Sequence, residues 1–172
     1  MLYAESYDGL PPAGAECDEG RPDRLSEAVS DICLELAKIV QGHSAAYHVS
    51  HVLLRVQNET SDKQAAPISG LQRDRLLRGL ALARPFILER FDGSRELGFA
   101  REGVDALRAL IALWAEAPEA RALRPINFRA DVHARARWLR NVCHNICLRE
   151  EIEERSAKGH RASMVRLVSE AA

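Results

Sequence analysis

The chain has 172 residues, enough for one domain to bury a core without disulfides or a structural metal. Apolar residues make up 47% and charged residues 28%, and no apolar run approaches the roughly 20 residues of a membrane span. With a net charge of −1, this composition excludes a wholly disordered chain, a membrane protein and an overall electrostatic attraction to nucleic acid.

The N-terminal segment differs from the rest of the chain in charge and pattern. Residues 1–22 contain five carboxylates and one arginine, a net charge of −4, together with three prolines and three glycines. They have neither helical nor strand periodicity. We therefore expect a flexible acidic arm over residues 1–22 and a helical bundle domain over residues 23–172.

The chain start and the residue usage predict the compartment. The start MLYAESYDGL lacks the basic and apolar regions of a secretory signal, so we expect a cytoplasmic protein. Only three of the 24 basic residues are lysines, an arginine preference expected of a GC-rich bacterial genome. The four cysteines form no C-x-x-C pair and no regular framework, so reduced thiols are expected.

Beyond the arm, apolar residues recur at helical spacing. The pattern predicts helices over about residues 22–41, 44–58, 71–91, 102–116 and 127–155, followed by Gly159 and a short C-terminal helix. Gly42 is the expected stop of the first helix and Ser44 the expected N-cap of the second, while Pro85 is expected to kink the third. Residues 59–70 are expected to form an exposed loop. Since no segment alternates with period two, the predicted fold class is an all-α, single-domain bundle of five or six helices.

A basic stripe runs along the long predicted helix near the C-terminus. Its members His133, Arg137, Arg140 and His144 recur at i, i+4, i+7 and i+11 beside an apolar face. Residues 121–149 contain seven arginines and one carboxylate, a net charge of +6. Such a stripe suits an anionic partner or an active site, and it equally suits the solvated edge of a bundle helix.

The segment LRNVCHN within this stripe resembles the motif of the HEPN family of helical ribonucleases. Arg140, Asn141, His144 and Asn145 carry the resemblance; three residues separate Arg140 from His144 where the family has four to six, and six separate Arg137 from His144. The resemblance implies a cleft, commonly between two protomers, in which a ribose 2′-hydroxyl attacks the neighbouring phosphate without metal. It also implies Arg137, Arg140, Asn141 and His144 as the catalytic set, because histidine can move a proton and arginine can stabilise phosphorane charge.

Two further clusters contain residue types that bind metals. Cys143 and Cys147 lie one helical turn apart, a spacing compatible with zinc, but both lie near the apolar face, as small buried thiols do. His43, His48 and His51 lie around the start of the second helix without an acidic or cysteine partner at a matching offset. We therefore expect no metal and no cofactor.

The apolar residues of the third and last helices exceed what a monomeric bundle is expected to bury. We therefore expect a non-enzymatic helical interaction or regulatory protein that acts through homodimerisation or through binding of a protein partner. Its partner surface is expected to comprise His133, Arg137, Arg140, His144, Met164, Leu167 and Val168. The alternative is a HEPN-like, metal-independent ribonuclease or RNA-binding protein that uses the basic stripe. Catalytic activity stays an open question at this point.

Overall fold

A computed structural model describes residues 23–61 and 65–170, including their side chains except those of residues 160 and 162–170. The acidic arm expected over residues 1–22 lies outside the described residues. The described part contains six helices: α1 (Arg24–Val40), α2 (Ala45–Ser61), α3 (Gly70–Glu89), α4 (Leu97–Trp114), α5 (Pro118–Leu123) and α6 (Ile126–Glu170). It contains no strand, which confirms the all-α bundle. None of its helices combines the length and the apolar character needed to cross a bilayer.

Four helices form a ring, and α6 lies against two of them. α1 contacts α2 and α3, α4 contacts α2 and α3, and α6 packs on both α2 and α4. Their apolar faces meet in one core, whose largest fully buried side chains include Ile32, Leu36, Leu53, Leu107, Leu110, Ile111, Trp114 and Leu139. The core therefore holds the helix with the basic stripe directly against α2 and α4.

The ends of α1 and α2 follow local sequence signals. Asp23 Oδ1 accepts a hydrogen bond from the Leu25 backbone N–H at 3.2 Å and caps α1. Gly42 follows the last residues of α1 with a φ of +83°, a left-handed conformation that favours glycine, so the predicted stop is confirmed. Ser44 directly precedes α2, but its hydroxyl donates to Glu150 of α6 at 3.2 Å. It therefore joins the start of α2 to α6.

The loop between α2 and α3 is shorter than predicted. α2 continues to Ser61, and α3 begins at Gly70 because Ser69 and Gln72 form a capping box. Ser69 Oγ accepts from the Gln72 N–H at 3.2 Å, and Gln72 Oε1 accepts from the Ser69 N–H at 2.8 Å. These reciprocal bonds satisfy two backbone donors at the helix start and fix where α3 begins.

α3 buries mainly one of its faces. Leu76, Leu80 and Ile87 are buried, but Leu82 is 61% exposed and Phe86 38% exposed. The helix is continuous from Gly70 to Glu89 and includes the proline predicted to kink it. An apolar pair therefore remains on its outer surface.

α4 and α5 depart from the predicted pattern. α4 begins at Leu97, five residues before its predicted start, and its first turns place Phe99 against Trp138 with ring centroids 5.5 Å apart. α5 was not predicted, although proline at its start is typical of the first position of a helix. Pro118 is the first residue of α5, four residues after the end of α4.

α6 is one continuous helix of 45 residues. It passes through Gly159, so the expected break and the separate short C-terminal helix are wrong. A single glycine costs only about 1 kcal/mol inside a helix, which the neighbouring turns can offset.

Close contact with α4 positions the middle of α6. A Cβ built on Gly103 of α4 would lie 2.6 Å from Leu139 Cβ, closer than side chains pack. Glycine weakens a helix interior, so its presence in α4 is explained by this contact. Leu139 lies between Arg137 and Arg140, and its packing therefore sets where the basic stripe faces.

Candidate functional site

The basic stripe does not form one uniform surface. His133 and Arg140 are half-buried, whereas Arg137 and His144 are exposed. His133 and Arg137 line a cavity, and Arg140 and His144 lie outside it. The predicted stripe is therefore divided into an N-terminal half at a cavity and a C-terminal half on the bundle surface.

The cavity has a volume of about 410 Å³ and lies where the ends of α2 and α4 meet α5 and the first turns of α6. Four basic, two hydroxyl and three apolar side chains contribute to its lining: Arg121, Arg129, His133, Arg137, Thr60, Ser61, Leu113, Ile126 and Ala130. We refer to this space and these side chains as the cationic cavity. Its lining brings together residues that are far apart in the sequence, from Thr60 at the end of α2 to Arg137 of α6.

Arg121 of α5 is the most deeply buried basic residue of the cationic cavity, with only 7% of its surface exposed. Its Nη2 donates to the Ala65 carbonyl oxygen in the segment before α3. Its Nε and Nη1 are buried without a hydrogen-bond partner among the described residues, and so is Nε of Arg129. A buried charged donor without a partner is costly, so these nitrogens point to an anionic ligand.

Among the described residues, carboxylates pair with arginines that lie near the cavity in sequence, and none pairs with an arginine that lines it. Arg124 at the end of α5 pairs with Glu116, and Arg135 of α6 pairs with Asp131 at 3.1 Å. Within the described ranges, the three arginines of the cationic cavity form no ion pair, and no carboxylate lines the space. The described part of the cavity therefore carries three guanidinium charges that no described carboxylate neutralises.

His133 contributes a neutral ring rather than a fourth charge. Burial lowers its pKa from the ordinary value of 6.5, and the charges of Arg137 and Arg129 lower it further. At pH 7 the imidazole is therefore mostly unprotonated and offers one donor and one acceptor nitrogen. The arginines supply the charge of the cavity.

The start of α6 adds positive potential to one wall. The unpaired N–H groups of a first helical turn give that end roughly half an elementary positive charge. Ile126 and Arg129 lie in the first turns of α6 and line the cavity. An anion placed here would meet both the helix end and the guanidinium groups.

The part of the lining that comes from the end of α2 has acceptor character. The Thr60 hydroxyl donates to the Val56 carbonyl oxygen at 2.6 Å, and the Ser61 hydroxyl donates to the Gln57 carbonyl oxygen at 2.5 Å. Because each hydroxyl has only one hydrogen, their oxygens remain as acceptors. The last carbonyl groups of a helix also carry partial negative charge. The cavity is therefore cationic on one side and an acceptor on the other.

The C-terminal half of the stripe has a different environment. Arg140 Nη1 donates to Gln57 Oε1 at 2.8 Å, and Gln57 Nε2 donates to the His133 carbonyl oxygen at 3.2 Å. Gln57 is only 6% exposed, so Arg140 is joined to a buried group of α2. Asn141 and His144 are exposed on the same helix. The residues of the HEPN-like motif thus share α6, with Arg140 partly engaged.

The remaining sequence candidates have local partners or lie outside the description. His48 Nδ1 contacts a Glu35 carboxylate oxygen, and burial raises the pKa of the Cys143 thiol to about 12, as for a small core residue. The described side chains contain no group of three or more histidine, cysteine or acidic residues placed to hold a metal. The backbone of α6 includes Met164, Leu167 and Val168, but their side chains lie outside the described ones.

Four polar residues of the cavity were not singled out from the sequence. Thr60 and Ser61 lie in the region predicted as a loop, and Arg121 lies in the unpredicted α5. Arg129 lies one turn before His133 at the same helical spacing but was not included in the stripe. The sequence did contain one indication of Arg121 and Arg129, because both belong to the arginine-rich segment 121–149.

Comparisons with protein-family models, with curated proteins and with solved structures found no match to this chain.

Proposed function

We propose that this protein is a non-enzymatic helical binding protein that holds an anionic group of its partner in the cationic cavity. The observation that carries the proposal is Arg121, whose guanidinium is buried at the cavity with two nitrogens unpartnered among the described residues. An anion would supply the charge and the hydrogen-bond acceptors that this group needs.

The energetics favour binding over an architectural role for this charge. Burying a guanidinium costs several kcal/mol unless a counter-charge or a full set of hydrogen bonds compensates, and Arg121 makes one bond to the Ala65 carbonyl oxygen. Arg129 and Arg137 increase the positive potential at the same place. A bound anion would interact with three guanidinium groups at once, in a partly enclosed space where screening by salt is weaker than at the surface.

Exposed apolar pairs support a self-association component of the same proposal. Leu82 and Phe86 lie one turn apart on the outer face of α3, and Leu148 and Ile152 lie one turn apart on α6, where they are 44% and 62% exposed. Apolar pairs of this kind are typical of surfaces that pair with another helix. A homodimer or a protein partner would bury them.

Inorganic phosphate will raise the thermal unfolding midpoint of the full chain at constant ionic strength, whereas chloride will not. A ligand that binds only the folded state at 100 times its Kd contributes about 2.7 kcal/mol, which corresponds to roughly 5–10 °C for a chain of this size. Arg137→Gln, an exposed substitution, should weaken phosphate binding by about 10- to 100-fold through loss of a charge-assisted hydrogen bond.

The matched control is Arg78→Gln, the same change at an exposed residue of α3 without an ion pair among the described side chains. It should bind phosphate like the wild type. Equal losses in the two variants, or no response of the wild type, would contradict the proposal. Light scattering on the same samples tests self-association. The mass of a single chain at high protein concentration would contradict the self-association part of the proposal.

The second candidate function is the HEPN-like ribonuclease or RNA-binding protein, favoured by the exposed His144 one turn after Arg140 on α6. If it holds, the wild type will cleave single-stranded RNA in chelator. His144→Ala will then lower the rate by at least about 100-fold, the usual contribution of a general acid or base, with the fold retained. His51→Ala, at an exposed histidine of α2, serves as the control. RNA that stays intact with wild-type protein would exclude the nuclease.

A further inference from the structure

We infer that the ligand of the cationic cavity is a small phosphate monoester that also carries hydroxyl or amino donors, as a phosphorylated sugar does. The inference rests on the proposed anion binding and adds the chemical class of the ligand. It rests on three features of the cavity. These are its volume, its three guanidinium groups without an ion pair among the described residues, and the contrast between the cationic lining from α5 and α6 and the acceptor oxygens from α2.

The size favours a small molecule. A volume of about 410 Å³ lies in the lower part of the range of roughly 300–1,000 Å³ found for small-molecule sites. Leu113 and Ile126 add apolar surface that a bare inorganic anion would not use. The space therefore accommodates a charged group together with a short polar body.

The charge favours a dianion. Arg121, Arg129 and Arg137 bring three guanidinium charges to the space without a carboxylate among the described lining residues. A phosphate monoester carries about −1.5 to −2 charges at pH 7, whereas a carboxylate or a phosphodiester carries one. A monoester also offers three terminal oxygens, so several unpartnered nitrogens can each find an acceptor.

The polarity of the walls favours donors on the rest of the ligand. The Thr60 and Ser61 hydroxyl hydrogens are engaged by backbone carbonyl oxygens of α2, which leaves their oxygens as acceptors. A ligand with its phosphate against α5 and α6 would direct its other end toward these acceptors. Hydroxyl or amino groups at that end would satisfy them, and a methyl group would not.

The arrangement does not favour an extended nucleic-acid backbone. A polyanion needs cations that follow its phosphates along a groove. Beyond Arg137 the stripe continues with Arg140, whose guanidinium is joined to the buried Gln57. Arg121 is itself too buried to lie along an open track. A terminal phosphate group can end inside the cavity, whereas a phosphodiester must leave the cavity on both sides.

Calorimetric titration of the full chain with four probes tests the inference: ribose 5-phosphate, methyl phosphate, ribose, and an RNA oligonucleotide without terminal phosphates. We expect ribose 5-phosphate to bind about 10-fold or more tightly than methyl phosphate, since one or two further hydrogen bonds are made. Ribose alone should not bind measurably. The double variant Thr60→Val, Ser61→Ala should lose the preference for ribose 5-phosphate, so that it binds ribose 5-phosphate and methyl phosphate with similar affinity.

Each result separates the inference from the function on which it rests. Equal affinity for ribose 5-phosphate and methyl phosphate would overturn the donor-bearing ligand and leave anion binding intact. Tighter binding of the oligonucleotide than of ribose 5-phosphate would overturn the small ligand in favour of a polyanion. Failure of every probe and of inorganic phosphate would overturn both. The comparison of probes on wild-type protein needs no variant, so it stays decisive if the double variant unfolds.

Discussion

Arg121→Met will weaken phosphate binding and, without ligand, will increase the free energy of unfolding by about 1 kcal/mol. Methionine keeps the length and apolar stem of the side chain but removes a buried charge with two unpartnered nitrogens. The lost bond to the Ala65 carbonyl oxygen costs about 1 kcal/mol, less than the burial penalty that disappears. Binding should weaken by at least roughly 30-fold, as when one partner of a buried charge pair is removed. Urea unfolding with and without phosphate measures both effects.

Arg124→Met provides the control for this result. Arg124 follows α5, is about half exposed and pairs with Glu116 instead of facing the cationic cavity. An exposed pair contributes little, so we expect no appreciable change in stability and unchanged phosphate affinity. If Arg121→Met instead destabilises the protein by several kcal/mol and leaves phosphate binding intact, Arg121 is a structural link between α5 and the segment before α3.

Gly103→Ala will lower the free energy of unfolding by about 1–3 kcal/mol, although alanine is the better helix former by about 1 kcal/mol. The new Cβ would lie 2.6 Å from Leu139 Cβ, so α4 or α6 has to shift. Gly98→Ala on the same helix meets nothing within 4 Å and should leave stability unchanged or raise it slightly. Equal behaviour of the two variants in urea unfolding would show that the close approach of α4 and α6 is not a constraint.

The double variant Gly103→Ala, Leu139→Ala tests whether contact with Leu139 causes the loss of stability in Gly103→Ala. Leu139→Ala alone should cost about 2–5 kcal/mol because Leu139 is fully buried. In its presence the change at Gly103 should cost less but still something, since the Cδ2 and Cγ atoms of Leu139, 3.1 and 3.3 Å from the new Cβ, are gone whereas the Cβ at 2.6 Å remains. If the losses in free energy of unfolding of the two single variants add up in the double variant, the cause of the Gly103→Ala effect lies elsewhere in α4.

Apolar periodicity and turn residues were sufficient to predict most of the fold. Ile32, Leu36 and Ile39 mark the buried face of α1, and Gly42 ends it as its conformational freedom suggests. α5 was missed because six residues are too few for a periodic pattern to be recognised. The continuation of α6 through Gly159 was missed because a helix-breaking tendency of about 1 kcal/mol is decided by neighbouring turns.

The candidate site was predicted only in part. The spacing of His133 and Arg137 placed them on one face, and both line the cationic cavity. Arg121 comes from another helix, and Thr60 and Ser61 come from a helix that was predicted to end earlier. The bond from Arg140 to Gln57 spans 83 positions of sequence, and local pattern holds no information on such a pairing. Site residues that tertiary packing brings together from different helices could therefore be identified only from the structure.

Gln57 has a consequence for the freedom of α6 to move. It accepts from Arg140 and donates to the backbone of His133, so it contacts two successive turns of α6 from one buried position. Sliding a helix by one residue shifts it by about 1.5 Å and rotates its side chains by about 100°, which would break both bonds. α6 therefore has one register against α2. The backbone of α6 that carries Arg129 and Arg137 therefore keeps a fixed separation from the backbone of α2 that carries Thr60 and Ser61, and adjustment to a ligand is left to side-chain rotamers.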